Sequence, residues 1–452
     1  GKSEPAARCA PGPAGHAAKI EDKQIMNPIA IAARGKGPLG MLKRAGVICS
    51  RYGSTSRNMG HWVAHFVRVL RQLNCSATFP ATTAALARNG RLVEQHWVRN
   101  VEFAVHGYYH VDHTQLSFDA QLAQLLRARR FFTEKGLAAN GFRCPYLRWS
   151  DDTIRAVRQA GFLYDSSQAL AWDVVNGHET DSYRQALAFY GAVSASDHPA
   201  LPRWYEGLVR IPYCLPDDEA LVDRFHFSDA RPIAEIWQAI LAKTYSAGEL
   251  FTLGLHPERI AVCEAPLIET IRRARALSPG VWIARLDEIA RWWRRRTEAA
   301  VSITQDLPEQ LSISVQGPEG LTVLARGVEV KAPTEKWGTS YQRVLTTRFQ
   351  LRAHPRPFIG VSPASSPYLL SFLRQQGYIV EHAEHAGSHA FYLDRPQFGL
   401  EDERPLLSQI EQGAFPLVRL GRWPNGSQSA LCVTGDIDAL SVWDYGLRFL
   451  GY

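Results

Sequence analysis

Between residues 62 and 296, short apolar runs alternate with longer stretches whose apolar residues recur at helical spacing. This alternation restricts the fold more than any other feature of the chain. Trp62, Phe66, Val69, Leu70 and Leu73 repeat at the interval of one helix face, and a strand-like run at 76–79 follows. A second run at 101–105 precedes a helical stretch over 116–126 and 130–132, bounded by Gly136. Gly141 opens another run at 142–146, and 152–160 is again helical in pattern. The order continues with a strand at 208–211, a helix at 232–243, an apolar strand at 251–255 and a helix at 268–277. Leu286, Ile289, Trp292 and Trp293 form a last apolar stripe, closed by Arg294, Arg295 and Arg296 where positive charge suits a helix C-terminus. Strands separated by helices specify a parallel sheet covered on both faces. About 240 residues of this pattern are enough for a barrel-like α/β fold.

The flanking segments read differently. Residues 1–44 start rich in Ala, Pro and Gly and show no stable period, which predicts a flexible extension. An isoleucine-containing patch at 25–31 leaves open a second role for it, as a substrate lid or partner-binding arm. Beyond residue 296, short strand candidates at 301–304, 311–316, 321–324 and 349–353 are separated by Gly, Pro and polar residues. Candidates at 358–361, 367–375, 379–380 and 390–393 suggest a small mixed α/β part. The expected division is therefore 1–44, a main α/β part at 45–298, an accessory mixed β-rich domain at 299–423 and a closing segment at 424–452. In that last segment a strand at 429–434 runs into Gly435, Asp436, Ile437 and Asp438.

Composition removes several function classes. With 46% hydrophobic and 21% charged residues, the 452-residue chain can bury a large core without relying on disulfides. The net charge is +7, but residues 1–50 supply +5 of it, so the basic balance says little about nucleic acid. No basic helix or RNA-binding aromatic signature occurs in the body, and a nucleic-acid partner is not expected. The longest apolar runs are too short for a membrane span. Seven widely separated cysteines form no CxxC pair, which favours a reducing, cytoplasmic setting; no signal peptide is recognisable, although a removed one would leave the same sequence.

Three clusters carry candidate chemistry. His106, His110 and His113 follow the strand run 101–105, and two neutral imidazoles with an Asp make a mixed nitrogen–oxygen site for a borderline divalent metal. A lone HxxxH pair equally describes ordinary loop histidines. His256 directly follows the strand 251–255, a position suited to protonating a leaving amine or to a plain loop hydrogen bond. Arg143, Pro145 and Tyr146 form a third cluster, in which Arg143 offers a directional partner for a carboxylate. Cys144 within it has no paired base that would make it a nucleophile. Trp172, Trp204 and Tyr205 are candidates to line a sugar groove, with core or surface packing as the alternative. Asp165, Asp173 and Asp217 are candidates to support His256, although Asp217 and Asp218 also fit an exposed turn. His113 is either an auxiliary site residue or a structural one.

Taken in order, these clusters resemble the polysaccharide deacetylase superfamily, the NodB-homology or carbohydrate esterase family 4 group. The resemblance covers roughly 51–296 together with 424–452, and its motifs are modest singly but specific in their order and separation. One piece departs from the pattern. The family's first strand should end in a paired-acid motif, yet 47–53 contains no acid. The stretch Val433-Thr434-Gly435-Asp436-Ile437-Asp438-Ala439 looks like that motif, with Gly435 in place of the usual aromatic, and Arg422 to Gly426 resembles its approach. The resemblance thus implies a distorted (β/α) barrel of NodB-homology type that is circularly permuted, 424–452 completing it; a truncated duplication and an unrelated acidic turn are the alternatives. Whether that segment completes its own chain or another copy is left open, and the oligomeric state with it. Carried over, the family pattern implies Asp436 as base, Arg143 as its positioner and Asp438 with His106 and His110 as ligands of one divalent metal. It also implies Tyr146 at the oxyanion region and His256 as general acid. Zinc is the expected ion, with cobalt, nickel or manganese compatible. The implied activity is deacetylation of an N-acetylated carbohydrate or glycosylated small molecule. A non-catalytic carbohydrate-binding or interaction protein and a hydrolase of another non-peptide C–N bond are the competing readings.

Overall fold

The computed structural model describes residues 48–49, 51–90, 100–175, 177 and 179–449. The expected extension at 1–44 lies outside the described residues.

The helical periodicity read from 62–73 belongs to α1 (Arg57–Gln72), which buries Met59, Val63, Phe66, Val67, Val69 and Leu70. Helix α2 (Phe118–Glu134) starts where Ser117 Oγ accepts the Ala120 N–H, and α3 (Asp151–Gln159) where Ser150 and Thr153 form a reciprocal capping box. Helices α4 (Ala230–Ala247), α5 (Ile260–Ala276) and α6 (Leu286–Thr297) complete the outer layer of the principal sheet. Gly248 stops α4 at φ 68°, the left-handed geometry that glycine adopts without a Cβ penalty.

The principal sheet has nine strands. They are β1 (Ala77–Ala81), β2 (Val101–Val105), β3 (Gly141–Phe142), β4 (Tyr164–Asp165), β5 (Arg203–Tyr205), β6 (Leu208–Arg210), β7 (Leu250–Leu255), β8 (Val281–Ile283) and β9 (Ser429–Gly435). Their order is β7-β9-β1-β2-β3-β4-β6-β5, with β8 paired to the start of β9. All pairings are parallel except the β5–β6 hairpin. The fold is thus α/β with a strongly parallel, curled sheet.

Its wall is not one continuous ring. A small parallel sheet, with Ala169–Ala171 between Val193–Ser194 and Tyr213–Leu215, covers the gap beside β7. Gly254 of β7 packs so tightly on Tyr213 that a Cβ would lie 1.9 Å from the phenol oxygen.

The strand from the far end of the sequence sits in the middle of the sheet. Residues 430–435 of β9 pair in register with 250–255 of β7, while Val433 and Thr434 pair with Ala77 and Thr78 of β1. Every residue of β9 is buried, as a strand covered on both faces requires. Beneath it Trp423 packs at a tilt against Trp293 of α6, ring centroids 5.6 Å apart, and donates its indole N–H to the Gly248 carbonyl at 2.9 Å. At the same end, buried Glu102 accepts from Thr78, Tyr164 and the Asp287 N–H, tying β1, β2, β4 and the start of α6 together.

Beyond α6 lie the expected β-rich additions. Ala300–Leu307, Gln310–Gln316, Arg348–Arg352 and Glu329–Lys331 form one antiparallel sheet. Val323–Arg326 joins a different one, between Tyr341–Val344 and Leu417–Leu420. Arg356–Val361 centres a parallel three-stranded sheet backed by the helix Pro367–Gln375. One apolar cluster runs from Trp292 and Trp293 to Ile359, Leu373 and Leu406, so the additions share a core with α6.

Gly435, the departure from the family's aromatic, has a packing reason. A Cβ there would approach the buried Phe79 ring to 2.4 Å and the Phe66 ring to 2.9 Å, so two aromatics already occupy the space. Gly435→Ala should therefore destabilise the fold by about 1–3 kcal/mol, the usual cost of overpacking. Chemical denaturation of the purified variant measures this, and an unchanged midpoint would show that the two rings move aside freely.

Candidate active site

The carboxyl ends of β9, β7 and β2 meet because their ladders run side by side. Leu255 is paired with Gly435, so the residues that follow them, His256 and Asp436, emerge together. The Asp436 N–H continues the ladder to the Leu255 carbonyl at 2.9 Å, and Ile437 N–H bonds Pro80 at 2.8 Å. The next turn brings Asp438 towards β2, whose exit is fixed by His106 N–H to the Ala81 carbonyl at 3.0 Å.

His106, His110 and Asp438 then converge, with one ligand atom of each lying within 4.8 Å of the others. Nε2 of His106 and of His110 stand 3.5 and 3.2 Å from the same oxygen, Asp438 Oδ1. His106 Nδ1 is 2.9 Å from the Arg143 carbonyl, which can only accept; Nδ1 therefore carries the proton and Nε2 presents its lone pair. Burial holds the His110 imidazole neutral, its pKa lowered to about 3 although Asp438 pulls the other way. Two imidazoles and one carboxylate, with the cavity side open, fit a divalent metal with room for further ligands.

Asp436 faces Arg143. The fully buried guanidinium donates through Nη1 to Asp436 Oδ1 at 2.5 Å and to Thr434 Oγ1 at 3.0 Å. Its Nε and Nη2 reach the Ser166 carbonyl and hydroxyl, each at 3.1 Å, and its face lies 4.5 Å from the Tyr213 ring. With four of its five N–H groups engaged, Arg143 fixes the orientation of the carboxylate. The run 142–146 is not one strand: β3 ends at Phe142 and a tight turn, Pro145–Leu147, follows with Tyr146 at φ 58°. That turn puts the Tyr146 ring edge-on to His110 at 4.5 Å.

His256 has a different support from those expected. Its Nδ1 is 2.8 Å from Asp218 Oδ1, and its own N–H donates to Asp218 Oδ2 at 2.6 Å. Burial opposes a charged imidazole, but the Asp218 carboxylate outweighs it and the pKa rises to about 10. Asp217, its neighbour, points elsewhere and accepts from Tyr213 and the Ala220 N–H. Both acids are buried, so the pair is no exposed turn. Asp165 is engaged by Ser167 and Arg210, and Asp173 is exposed. An acid pair after a strand was visible in the sequence; which of the two bonds His256 was not, and Asp217 lines the cavity instead.

The groups open into one cavity of about 530 Å³. His106, His110, Tyr146, His256, Asp436 and Asp438 all line it. Trp172, Trp204 and Tyr205 do not. Trp172 is buried in the main core. Trp204 on the edge strand β5 lies against the β-rich additions, its N–H on Gln375. Tyr205 is exposed, with Arg158 over its ring at 5.6 Å. Alternation along so short a strand gave no clue to which face was the cavity. The aromatic walls come instead from Phe189, Tyr190, Tyr52 and Tyr445, which no motif marked. His113 is wholly buried, its ring 5.5 Å from that of Phe142, and is not among the residues lining the cavity.

Comparison with known proteins follows the same lines. Residues 54–164 match the polysaccharide deacetylase family model. Over that stretch the chain is similar to the polysaccharide deacetylase family. Over 109 residues it is 34% identical to a peptidoglycan deacetylase-like protein, FGM2, of Gibberella zeae, a stretch covering 24% of this chain and 27% of the relative. The chain thus spans about a quarter of the length of the curated relative it matches. A probable polysaccharide deacetylase of Pseudomonas aeruginosa is similar in structure at 23% identity and a TM-score of 0.42, over 52% of this chain and 73% of that one. Puue allantoinase gives 21% identity and a TM-score of 0.42, over 52% and 72%.

The His256–Asp218 pair has a measurable sign. The carboxylate raises the imidazole pKa, so Asp218→Asn should let His256 lose its proton at lower pH. If His256 acts as an acid, the alkaline limb of kcat/KM should move to lower pH in that variant. An alkaline limb that stays in place would separate the pair from catalysis.

Proposed function

We propose that this protein is a metal-dependent N-deacetylase that hydrolyses the acetamide of an N-acetylated sugar or sugar-containing metabolite. The observation that carries the reading is the convergence, in one cavity, of a carboxylate held by a buried Arg, an imidazole held charged by an Asp, and a two-His, one-Asp ligand set. When bound to His106, His110 and Asp438, a divalent ion, zinc by preference, supplies Lewis-acid polarisation of the amide carbonyl and acidifies water.

The chain's own groups do the rest. Asp436, held in place by Arg143, takes the proton of the attacking water. His256 starts protonated and gives its proton to the departing amine, while Asp218 keeps the ring aimed. The left-handed turn at Tyr146 is assigned to the oxyanion region, where a backbone donor would stabilise the tetrahedral state. Aromatic side chains on the cavity wall suit the apolar faces of a sugar ring.

We further infer a circular permutation. It is supported by β9 lying between β7 and β1, and by a family match that starts at residue 54, beyond the acid-free stretch 47–53. The same reading divides the chain into 45–298 and 424–452 as the catalytic barrel and 299–423 as an accessory part. A reducing, cytoplasmic setting is proposed from the free cysteines, Cys75, Cys144, Cys214, Cys263 and Cys432 being buried as thiols.

Purified protein should take up close to one divalent ion and release acetate from members of a panel of N-acetylated sugars. His106→Ala, His110→Ala and Asp438→Ala should each lower metal content. Asp436→Asn should keep the ion yet lose activity by roughly 10²–10⁴-fold, the range of a general base. Metal uptake without acetate release on any panel member would favour a binding protein or a hydrolase of another C–N bond. His256→Ala should keep its metal and lose more activity on an amide than on a matched activated ester, whose leaving group needs less protonation. Equal losses on the two would deny it the role of acid.

A further inference from the structure

The stretch that supplies Asp436 and Asp438 reaches the cavity a second time. After the helix Val442–Gly446 the chain turns once more, and Arg448 returns over the ligand set. Its Nη2 donates to Asp438 Oδ2 at 3.4 Å and its Nη1 to the Tyr146 phenol oxygen at 3.1 Å. The guanidinium lies 3.9 Å from the Tyr445 ring, and its Nε is buried.

The two oxygens of Asp438 are thereby divided. Both ligand imidazoles face Oδ1, whereas Arg448 takes Oδ2. A carboxylate with one oxygen held by a charged donor presents the other in a fixed direction, and it loses the freedom to swing or to chelate through both oxygens. Through Tyr146 the same guanidinium also fixes a ring packed edge-on against His110. One cation on the closing segment thus touches the supports of two of the three ligands.

We propose that Arg448 is a positioning residue that orients Asp438 for one-oxygen metal ligation and locks the Tyr146 turn against His110. The inference rests on the metal reading above. It makes Arg448 part of the site's construction, and it ascribes to the terminal segment a third contribution beside the base and the ligand.

The charge of Arg448 opposes a metal ion, so orientation and repulsion predict opposite signs. Metal affinity is therefore measured by competition with a chromophoric chelator, using zinc and the full-length protein. If the parent binds no metal, the metal reading itself fails. If the parent binds, Arg448→Met should weaken zinc binding about 10–100-fold, the usual cost of removing a partner of a metal ligand. Arg448→Gln, which keeps a donor but loses the charge, should recover part of that loss. Tyr445→Leu, which removes the stacking platform and leaves the guanidinium, should give a smaller loss and serves should Arg448→Met fold poorly. Unchanged affinity in the Met variant, or tighter binding, would overturn the proposal in favour of simple charge repulsion or no coupling. Unchanged affinity with a KM rise confined to anionic sugars would also overturn it, making Arg448 a substrate contact.

Discussion

The pairing of β9 with β7 and β1 is the constraint on which the rest depends. Its ladder sets Gly435 opposite Leu255, and from that register follow the adjacency of Asp436 and His256 and the reach of Asp438 to the histidines of β2. A slip of one residue would turn every side chain of β9 to the other face. Asp436 would then leave Arg143, whose buried charge would lose its carboxylate partner. Ladder register and ion pair therefore reinforce each other: the backbone places the carboxylate, and the loss of a buried charge's partner would penalise any other register.

Much of this was legible in the residues. The alternation of short strands and helices gave the α/β class, and helices such as 118–134 and 151–159 lie within a few residues of their expected bounds, but the helix expected at 268–277 starts eight residues earlier, at Ile260, and the helix Asp181–Tyr190 was not anticipated. The ligand and acid candidates stood next to strand ends, where a parallel sheet delivers its side chains. The absence of acids at 47–53 and their presence at 436 and 438 was the one long-range signal.

What the sequence left obscure has a common physical origin. Asp218 rather than Asp217 reaches His256, and adjacency in sequence does not say which of the two does. Trp172, Trp204 and Tyr205 have the chemistry of a sugar platform, yet the main core takes Trp172, the core shared with the β-rich additions takes Trp204, and Tyr205 lies exposed under Arg158. Phe189 and Arg448 enter the cavity by tertiary packing alone, from a helix and a terminal turn that carry no motif. Residue type and local period report what a side chain can do; which cavity it meets is fixed by contacts hundreds of positions away.

The placement of β9 also has a consequence for how the molecule is made. On the ribosome, β7 and β1 emerge long before the strand that lies between them. Until it arrives, the nascent barrel has a vacant slot bounded by two unpaired strand edges, each able to recruit a foreign strand. The intervening residues that build the β-rich additions are synthesised during that interval. The additions share a core with α6, and Trp423 packs against Trp293 just ahead of β9, so the late strand is preceded in the chain by residues that themselves meet the barrel.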